Sequence, residues 1–549
     1  MGREKRVTVK KAKKGILNIL FSRVFILAAL VLIQLYVLAA TVTFLQEYAT
    51  YIYAGFLVLG VITVIYMINN SSNPDIKITW MLLIMVTPII GSVFYLFVKT
   101  QPGTAVLEKS LTDLNKATKP YMLQDKGVLE DFRTSKPANA NLATYLNNQI
   151  FFPTHRNTSV TYFASGEEKF EELKKQLRQA ESYIFLEYFI IDKGRMWGEI
   201  LDILKEKVWQ GVDVRVMYDG MCSMFQLPYH YDKELRRAGI KCKQFSRIRP
   251  VLSSHQNNRD HRKICVIDGR VAFTGGINLA DEYINEKERF GHWKDTAIMV
   301  EGEAVQSFTM MFLQMWNILE RRQDDYSRYL TPKTKEFKRE LGYVLPYADS
   351  PFDRKNPGEQ VYLHILNHAK KYVHIMTPYL IIDDDMLTTL KYVAECGIEV
   401  IIIMPHIPDK WYAFTVAKTY YETLMQSGVQ IYEYTPGFVH AKVFVSDNDT
   451  ATVGTINLDY RSLYHHFECG AFIYKNPVIW DIEKDFQETL KKCQRVTKED
   501  LKKRSVFDKI AGRVLRLVAP LMYGWKIDVM QKKYFTSKKK CSIIYSVIL

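Results

Sequence analysis

Two short segments of the chain place the same reactive side chains at the same spacing. HRKICVID begins at His261 and HAKVFVSD begins at His440, and both have the pattern H-x-K-x-x-x-x-D. On an extended strand, side chains two residues apart point to the same side. His261 and Lys263 therefore share one face of a predicted strand, as do His440 and Lys442. This pairing suits a phosphate group, because the lysine binds anionic oxygens while the neutral imidazole reacts at phosphorus.

Each motif is followed by Gly-Gly or Gly-Thr and then by an asparagine, Asn278 or Asn457. The glycines would let the backbone approach a phosphate closely, and the two asparagines are predicted to donate amide hydrogens to its oxygens. Asp268 and Asp447 complete the two catalytic motifs. Because they end their strands, we expect them to fix a turn or to bond across the domain rather than to touch substrate.

The two histidines together could carry out displacement at a phosphodiester. That reaction needs a nucleophile on one side of phosphorus and a proton donor for the leaving alkoxide on the other, and the donor can act as the base of a second step. The attacking imidazole must be neutral and the donating one charged, so their environments must separate their pKa values. The sequence leaves open which histidine attacks.

A histidine nucleophile also needs an acceptor that orients its second ring nitrogen. Each motif copy offers one carboxylate downstream. Asp295 follows the first motif in GHWKDTAIM, and Glu468 follows the second in HHFECGAF. Both carboxylates are therefore predicted to orient a histidine.

The surrounding pattern indicates that a whole domain has been duplicated. In the first copy, the strand-like SYIFLEYFIID precedes an amphipathic helix that stops at Gly211, and the strand VDVRVMYDG follows. In the second copy, KYVHIMTPYLIID precedes a helix that stops at Gly397, and IEVIIIMP follows. Alternating strands and helices predict an α/β fold with a largely parallel sheet in each half. We expect the halves to pack around a pseudo-two-fold axis.

Three uncharged apolar stretches, residues 24–45, 51–68 and 78–98, lie near the N-terminus. Each is long enough to cross a membrane as a helix, and Pro88 permits a kink in the third. The basic leader before them favours a cytoplasmic N-terminus. Three full spans would then place the rest of the chain outside, whereas the basic residues after the third span favour the inside, so the topology stays open.

The bulk composition limits the partners and the cofactors. The formal charge of +15 favours anionic partners, such as nucleic acid, acidic lipid headgroups or phosphorylated substrates. The seven cysteines are scattered without a CxxC pair, which predicts neither a disulfide framework nor a zinc site. The predicted organisation is a leader (1–23), a membrane anchor (24–99), a connector (100–150), two α/β domains (151–335 and 336–500) and a basic amphipathic C-terminal segment (501–549).

The paired motifs resemble those of the phospholipase D superfamily. GGINLADEY with FGHWKDT in the first copy, and GFVHAK with GTINLDYRS in the second, resemble bacterial cardiolipin synthases in particular. TPYLIIDDDML and KKRSVFDKIAGRVLRLVAPLM are also similar to that family. The resemblance extends from about residue 51 to residue 522.

The resemblance implies transfer of a phosphatidyl group from one phosphatidylglycerol to another, with release of glycerol and without a metal or cofactor. It implies that His261 and His440 act as nucleophile and acid/base, and that Lys263, Lys442 and the two asparagines bind phosphate. It also implies a multi-pass protein of the cell membrane, with anionic lipids as partners and catalytic domains on the cytoplasmic side. The chain departs from the family in the extra first span, in the tail beyond Tyr523, and at His465 and His466, where the family has Leu-Asn.

Other functions share these motifs. Water and a lipid alcohol compete for one intermediate, so a phospholipase D-type hydrolase or a transferase with another acceptor alcohol stays open. A nuclease also shares them, but the apolar stretches and the lack of a basic-aromatic stacking region argue against a nucleic-acid partner. A membrane scaffold with a decayed site is disfavoured because both motifs are intact. The amphipathic stretch from Val506 to Leu521 predicts either a membrane-surface helix or a core-packing one.

Overall fold

Each repeated unit forms one mixed β-sheet, and the two sheets have the same strand order. The computed structural model describes residues 48–70, 73–99, 102–221, 226–228, 230–246, 258–318, 320, 323–330, 340–352 and 355–521, together with Leu32 and Tyr36. The strands are β1 (Thr158–Phe163), β2 (Tyr183–Tyr188), β3 (Asp213–Asp219), β4 (Lys241–Phe245), β5 (Arg259–Asp260), β6 (Lys263–Ile267), β7 (Val271–Gly275), β8 (His292–Lys294), β9 (Ala297–Gly302), β10 (Tyr343–Asp349), β11 (Tyr372–Met376), β12 (Leu380–Ile381), β13 (Glu399–Pro405), β14 (Gln430–Tyr434), β15 (Gly437–Val439), β16 (Val443–Ser446), β17 (Thr450–Gly454), β18 (Leu458–Asp459), β19 (His466–Tyr474) and β20 (Cys493–Arg495).

Helices cover both sheets and form the N-terminal and C-terminal regions. They are α1 (Ala49–Ile68), α2 (Pro74–Val86), α3 (Pro88–Lys99), α4 (Pro102–Thr118), α5 (Lys126–Ser135), α6 (Pro137–Ile150), α7 (Gly166–Arg178), α8 (Arg195–Trp209), α9 (Tyr231–Arg237), α10 (Val305–Asn317), α11 (Ser327–Leu330), α12 (Pro357–His368), α13 (Asp384–Glu395), α14 (Trp411–Gln426), α15 (Tyr460–Tyr464), α16 (Val478–Leu490), α17 (Lys498–Lys502) and α18 (Val506–Val518). The predicted helix stops at Gly211 and Gly397 have positive φ angles of 88° and 86°, which glycine adopts readily.

The strand order shows the duplication directly. The first sheet runs β1-β9-β7-β6-β2-β3-β4, and the second runs β10-β19-β17-β16-β11-β13-β14 with β20 added at its edge. Each position in the first sheet therefore has a counterpart in the second. The α/β class and the two duplicated domains predicted from the sequence are confirmed.

The prediction of a largely parallel sheet is wrong. In the first half only β2, β3 and β4 pair in parallel, whereas β2–β6, β6–β7, β7–β9 and β1–β9 are antiparallel. The reason is local: three residues, Asp268 to Arg270, join β6 to β7, and so short a link allows only antiparallel neighbours. The second half repeats this arrangement.

The third apolar stretch is not one continuous helix. It comprises α2 and α3, which separate at Thr87, where the helix ends before Pro88. The rings of Trp80 and Tyr95 lie 5.3 Å apart. A continuous helix would separate those residues by about 22 Å, so the two helices fold back on each other.

The second apolar stretch corresponds to helix α1, while the first falls almost entirely outside the described residues. Among the residues that the structure describes, no helix meets both the length and the hydropathy expected of a membrane-spanning segment. The three predicted spans are therefore not confirmed and stay a prediction. The N-terminal helices contact the second half of the molecule, where Tyr460 donates a hydrogen bond to Asp75 at 2.6 Å and Asn73 donates one to Tyr464 at 2.9 Å.

The two halves exchange short strands next to the motifs. Strand β5, just before His261, pairs with β19 of the second half, and β15, just before His440, pairs with β8 of the first half. Both exchanges are parallel. Each motif histidine therefore follows a strand that is held by the opposite half.

Candidate active site

The exchanged strands fix the backbone of both motif histidines. His261 N–H donates to the carbonyl of Phe467 at 2.9 Å, and His440 N–H donates to the carbonyl of Lys294 at 2.7 Å. One residue beyond Phe467 is Glu468, and one residue beyond Lys294 is Asp295. The backbone pairing thus brings each histidine beside the carboxylate of the other half.

The side chains form two crossed histidine–carboxylate pairs. His261 Nδ1 lies 2.8 Å and 2.9 Å from the two carboxylate oxygens of Glu468, and His440 Nδ1 lies 2.7 Å from Asp295 Oδ2. Both carboxylates are completely buried. A carboxylate that accepts the Nδ1 hydrogen leaves Nε2 as the unprotonated nitrogen available for chemistry.

Burial lowers the pKa of both imidazoles. The pKa of His440 falls to about 4, because desolvation and Lys442 outweigh the carboxylate of Asp295. The pKa of His261 also falls well below its usual value, through desolvation and then through Lys263 and His466. Both imidazoles therefore favour the neutral form near neutral pH when no anion is bound. An anionic phosphodiester would favour the charged form of an adjacent imidazole, as a proton donor requires.

The two motif lysines are buried close to both histidines, and neither lysine lines the cavity that contains the histidines. Lys263 Nζ donates to the carbonyl of His261 at 2.5 Å, and Lys442 Nζ donates to the carbonyl of His440. Burial lowers the pKa of Lys442 to about 7 and that of Lys263 to about 8. Without an anion, part of this lysine pair is uncharged near neutral pH.

Anion binding should therefore be accompanied by proton uptake. A phosphodiester favours the ammonium form, so the lysines gain protons on binding between about pH 7 and 8, and affinity falls as pH rises through this range. Calorimetry with dimethyl phosphate, in buffers that differ in ionisation enthalpy, measures this uptake. The Lys442→Met variant should take up fewer protons, and a binding enthalpy independent of the buffer in the wild type would contradict the prediction.

Asp268 and Asp447 do not lie at the cavity that contains the histidines. Asp268 accepts hydrogen bonds from the backbone N–H groups of residues 181–183, and Asp447 accepts them from residues 370–372. Each carboxylate thus binds the segment that enters the central strand of its sheet. We replace the catalytic assignment of these two residues with a structural one, in agreement with the turn-fixing role also expected from their position.

The two asparagines differ in their hydrogen bonding, although both line the cavity. Asn278 Oδ1 accepts from Ile190 N–H at 2.9 Å, and its Nδ2 donates to the Tyr283 hydroxyl at 2.7 Å. Asn457 Oδ1 has no hydrogen-bond partner among the described residues. The unpaired atom of Asn457 is an acceptor, which suits a ligand hydroxyl group, whereas a phosphate oxygen needs an amide hydrogen from Nδ2.

The glycines after the motifs allow a neighbouring strand, or a histidine-orienting carboxylate, to approach the backbone closely. A Cβ on Gly275 would lie 2.5 Å from the Cα of Ala297, and one on Gly454 would lie 2.5 Å from the carbonyl oxygen of Cys469. A Cβ on Gly276 would lie 2.0 Å from Asp295 Oδ1. In the second half, Thr455 takes the equivalent place and donates to Glu468 Oε2 at 2.5 Å.

The Gly276→Ala variant should lose activity through Asp295. The new methyl group would displace the carboxylate, which is also held by Thr296 N–H at 2.8 Å, and the bond to His440 would break. We expect at least about a 100-fold lower turnover, the size of effect seen when a partner that orients a reactive histidine is lost. Gly198→Ala is the matched control, because its Cβ would meet nothing within 4 Å. Equal turnover in both variants would contradict this role.

Both histidines open into one cavity of about 270 Å³ between the halves. The motifs did not reveal most of its lining, because these residues come from loops and from other elements. HIPDKWYAF contributes Asp409, Lys410 and Trp411, and GTINLDYRS contributes Asp459 and Arg461 in addition to its asparagine. The remaining lining residues include Phe189, Met221, Gln226, Tyr283, Arg289, Phe290, Trp293, Tyr379, Tyr412, Phe438, Tyr460, His466 and Ala519.

Comparison with known proteins places this fold and site in a class. The model of the cardiolipin synthase, PLD-like domain matches residues 173–316 and 362–490, and that of the phospholipase D-nuclease N-terminal region matches residues 56–99. The crystal structure of phosphatidylserine synthase from Haemophilus influenzae aligns with a TM-score of 0.51 at 15% identity, covering 70% of this chain and 98% of that one. This likeness shows the fold: two phospholipase D-like domains in one chain.

Curated relatives narrow the class further. Cardiolipin synthase of Halalkalibacterium halodurans is 32% identical, covering 86% of this chain and 95% of the relative. Cardiolipin synthase 2 of Bacillus anthracis is 34% identical, covering 82% of this chain and 88% of the relative. An uncharacterized protein of Streptococcus mutans is 52% identical over 84% of this chain. The chain belongs to the cardiolipin synthase family.

Proposed function

We propose that this protein condenses two phosphatidylglycerol molecules to cardiolipin and glycerol through a covalent phosphatidyl-histidine. The observation that supports this most directly is the pair of crossed histidine–carboxylate contacts that open into one cavity. Two neutral imidazoles that line one cavity, with two buried lysines near them, suit a phosphodiester with a nucleophile and a proton donor on opposite sides. No cofactor and no metal is needed for these steps.

In the first step, His261 Nε2 attacks phosphorus while the bond from phosphorus to the glycerol headgroup breaks. His440 donates a proton to the departing alkoxide, and glycerol leaves. In the second step, the headgroup hydroxyl of another phosphatidylglycerol loses its proton to His440 and attacks the phosphatidyl-histidine. The bond from phosphorus to His261 breaks, so His261 returns to its neutral form and His440 returns to the protonated form with which the first step began. Lys263, Lys442 and the amide hydrogens of Asn278 and Asn457 bind the phosphate oxygens throughout.

Purified protein in phosphatidylglycerol vesicles tests this proposal. We expect equal amounts of glycerol and cardiolipin, unchanged by a metal chelator. Phosphatidic acid as the main product would instead identify a hydrolase, because water would then be the acceptor. Cleavage of DNA under the same conditions would contradict the proposed lipid substrate. Adding other alcohols and following the products by mass spectrometry tests the choice of acceptor.

We also propose that the catalytic halves work against a membrane surface, and helix α18 supports this. It packs on α14 through Gly512, whose Cβ would lie 2.9 Å from the side chain of Thr419. Four of its apolar side chains face away from the protein: Val506 and Phe507 are more than 70% exposed, and Ile510 and Val514 more than half, whereas Leu515 packs against the core. These exposed side chains favour the membrane-surface reading of the amphipathic stretch.

The surroundings of α18 favour a lipid surface as its partner. Helix α2 adjoins it, since Thr79 donates to the carbonyl of Leu517 at 3.0 Å, and α2 exposes Ile78, Met85 and Val86. Exposed Lys502, Lys503 and Arg513 complement anionic headgroups. Ala519, just after α18, lines the cavity, so this surface lies beside the entrance. As part of the same proposal, the N-terminal region is a multi-pass membrane anchor and the catalytic halves lie on the cytoplasmic side of the membrane.

Replacing Phe507 and Ile510 together by aspartate should lower turnover of phosphatidylglycerol in vesicles at least about tenfold relative to turnover of dispersed short-chain phosphatidylglycerol, because two apolar side chains that would enter the lipid surface are lost. Turnover of the short-chain lipid reports on the catalytic site, so the ratio of the two rates isolates the role of α18 from that of the N-terminal segments. Trp209→Asp is the control, because Trp209 is 89% exposed on α8 in the first half. An unchanged ratio in the double variant would contradict a role for this surface.

A further inference from the structure

His466 is a third imidazole at the cavity, and neither histidine–carboxylate pair uses it. It is 7% exposed, and neither of its ring nitrogens has a hydrogen-bond partner among the described residues. Its ring centre lies 5.5 Å from that of His261, and its Nδ1 lies 3.6 Å from Glu468 Oε1. Buried polar atoms are usually hydrogen-bonded, so an unpaired imidazole aimed at this pair needs an explanation.

We infer that His261, His466 and Glu468 form a binding site for a divalent transition-metal ion of the zinc class. One ligand atom from each side chain lies within 4.8 Å of the other two. Tetrahedral zinc, with bonds of about 2.0–2.1 Å, places its ligand atoms roughly 3.4 Å apart, so the site closes when His466 moves inward and the 2.8 Å contact of His261 with Glu468 widens slightly. Two imidazole nitrogens and one carboxylate oxygen suit zinc and leave a fourth position open to water from the cavity.

The bound ion would inhibit transfer by changing the tautomer of His261. In the free site, His261 Nδ1 contacts Glu468 at 2.8 Å, which places the hydrogen on Nδ1 and the lone pair on Nε2. A metal ion on Nδ1 replaces that hydrogen, and the proton of the neutral ring moves to Nε2. Nε2 then has no lone pair with which to attack phosphorus.

Metal binding and its inhibitory consequence are separate claims. The inhibition depends on the proposed function, because it requires His261 to be the nucleophile, whereas binding depends only on the three side chains. The nearby charge of Lys263 opposes a second positive charge, so the ion should be removable by a chelator. The site would therefore act as a reversible inhibitory site in an enzyme that needs no metal for turnover.

Direct binding is tested with cobalt(II) on the chelator-treated full-length protein, since cobalt in such a low-coordinate site absorbs visible light. We expect one cobalt per wild-type chain, displaced by zinc, and at least about tenfold weaker binding by His466→Asn. His465→Asn is the matched control, because His465 is the neighbouring imidazole and does not line the cavity. Equal cobalt affinity in His466→Asn and wild type, or no cobalt bound, would overturn the site.

The functional arm measures cardiolipin formation against zinc concentration, with each variant normalised to its own metal-free rate. Zinc should inhibit the wild type and His465→Asn alike and should inhibit His466→Asn only at concentrations at least about ten times higher. Melting temperatures with and without zinc check folding, and zinc should raise that of the wild type. Cobalt binding without loss of phosphatidyl transfer would support the metal site and overturn its inhibitory role. The absence of transfer in metal-free protein would refute the proposed function.

Discussion

The His261→Ala variant should form no phosphatidyl-enzyme. Its turnover should fall at least about 1,000-fold, which corresponds to a loss of about 4 kcal/mol of transition-state stabilisation. The reason is that Nε2 of His261 is the proposed bond-forming atom, and the other imidazole near Glu468, that of His466, lies 3.6 Å from Glu468 Oε1 instead of 2.8 Å. Turnover is measured as cardiolipin formed from phosphatidylglycerol. The intermediate is trapped by acid quenching with lipid labelled at phosphorus, followed by mapping of the labelled residue.

His440→Ala should show a similar loss of turnover for a different reason. His440 donates the proton that glycerol needs as it leaves, and a leaving group of low basicity does not need that proton. With a phosphatidyl p-nitrophenol substrate, His440→Ala should therefore release one p-nitrophenol per enzyme in a burst, whereas His261→Ala should release none. His368→Ala is the control, because His368 is exposed on helix α12 and lies outside the cavity.

The opposite burst pattern would exchange the two roles and leave the two-histidine reaction intact. A phosphorus label on neither histidine, with turnover retained in both alanine variants, would refute the covalent mechanism altogether. Retention of a burst in both single variants would mean that either imidazole can attack. The burst experiment therefore separates the identity of the nucleophile from the existence of the intermediate.

The sequence predicted the parts of this molecule that depend on short-range patterns. Two H-x-K-x-x-x-x-D motifs, 179 residues apart, sufficed to predict two half-sites, and the helix stops at glycine followed from local chemistry. The prediction of mostly parallel strands was wrong because the composition of a strand does not reveal which strands pair with it. Each motif histidine lies between two strands, β5 and β6 or β15 and β16, and its two-residue spacing to the lysine does not reveal the direction of the neighbouring strands.

Long-range pairing accounts for what the sequence could not supply. The apolar composition of the third N-terminal stretch fits one helix as well as two helices that fold back, and the helix end at Thr87 and the contact of Trp80 with Tyr95 separate these cases. His466 is adjacent to Phe467 in sequence, but its approach to His261 depends on the pairing of β5 with β19. His466 and His261 are about 200 positions apart, and a single sequence gives no signal that they are close.

The contact of each histidine with the carboxylate of the opposite half depends most on the pairing of distant strands. The second large prediction concerns these two carboxylates. Glu468→Gln removes the acceptor of His261 Nδ1, and Asp295→Asn removes that of His440 Nδ1. Each amide can leave its histidine in the wrong tautomer, so each single variant should lose roughly 10²- to 10⁴-fold in turnover of phosphatidylglycerol. Cardiolipin formation measures this loss, and melting temperatures confirm that both variants fold.

The p-nitrophenol substrate then shows which histidine each carboxylate serves. Because the pairs cross, Asp295→Asn should resemble His440→Ala and keep its burst, although Asp295 belongs to the same motif copy as His261. Glu468→Gln should resemble His261→Ala and lose its burst, although Glu468 belongs to the copy of His440. Thr455→Val is the matched control for Glu468, since it removes only the hydroxyl that donates to Glu468 Oε2 and should cost less. If the burst survived in Glu468→Gln and vanished in Asp295→Asn, each carboxylate would serve the histidine of its own copy, and the exchange of β5 and β15 between halves would have no part in setting the tautomers.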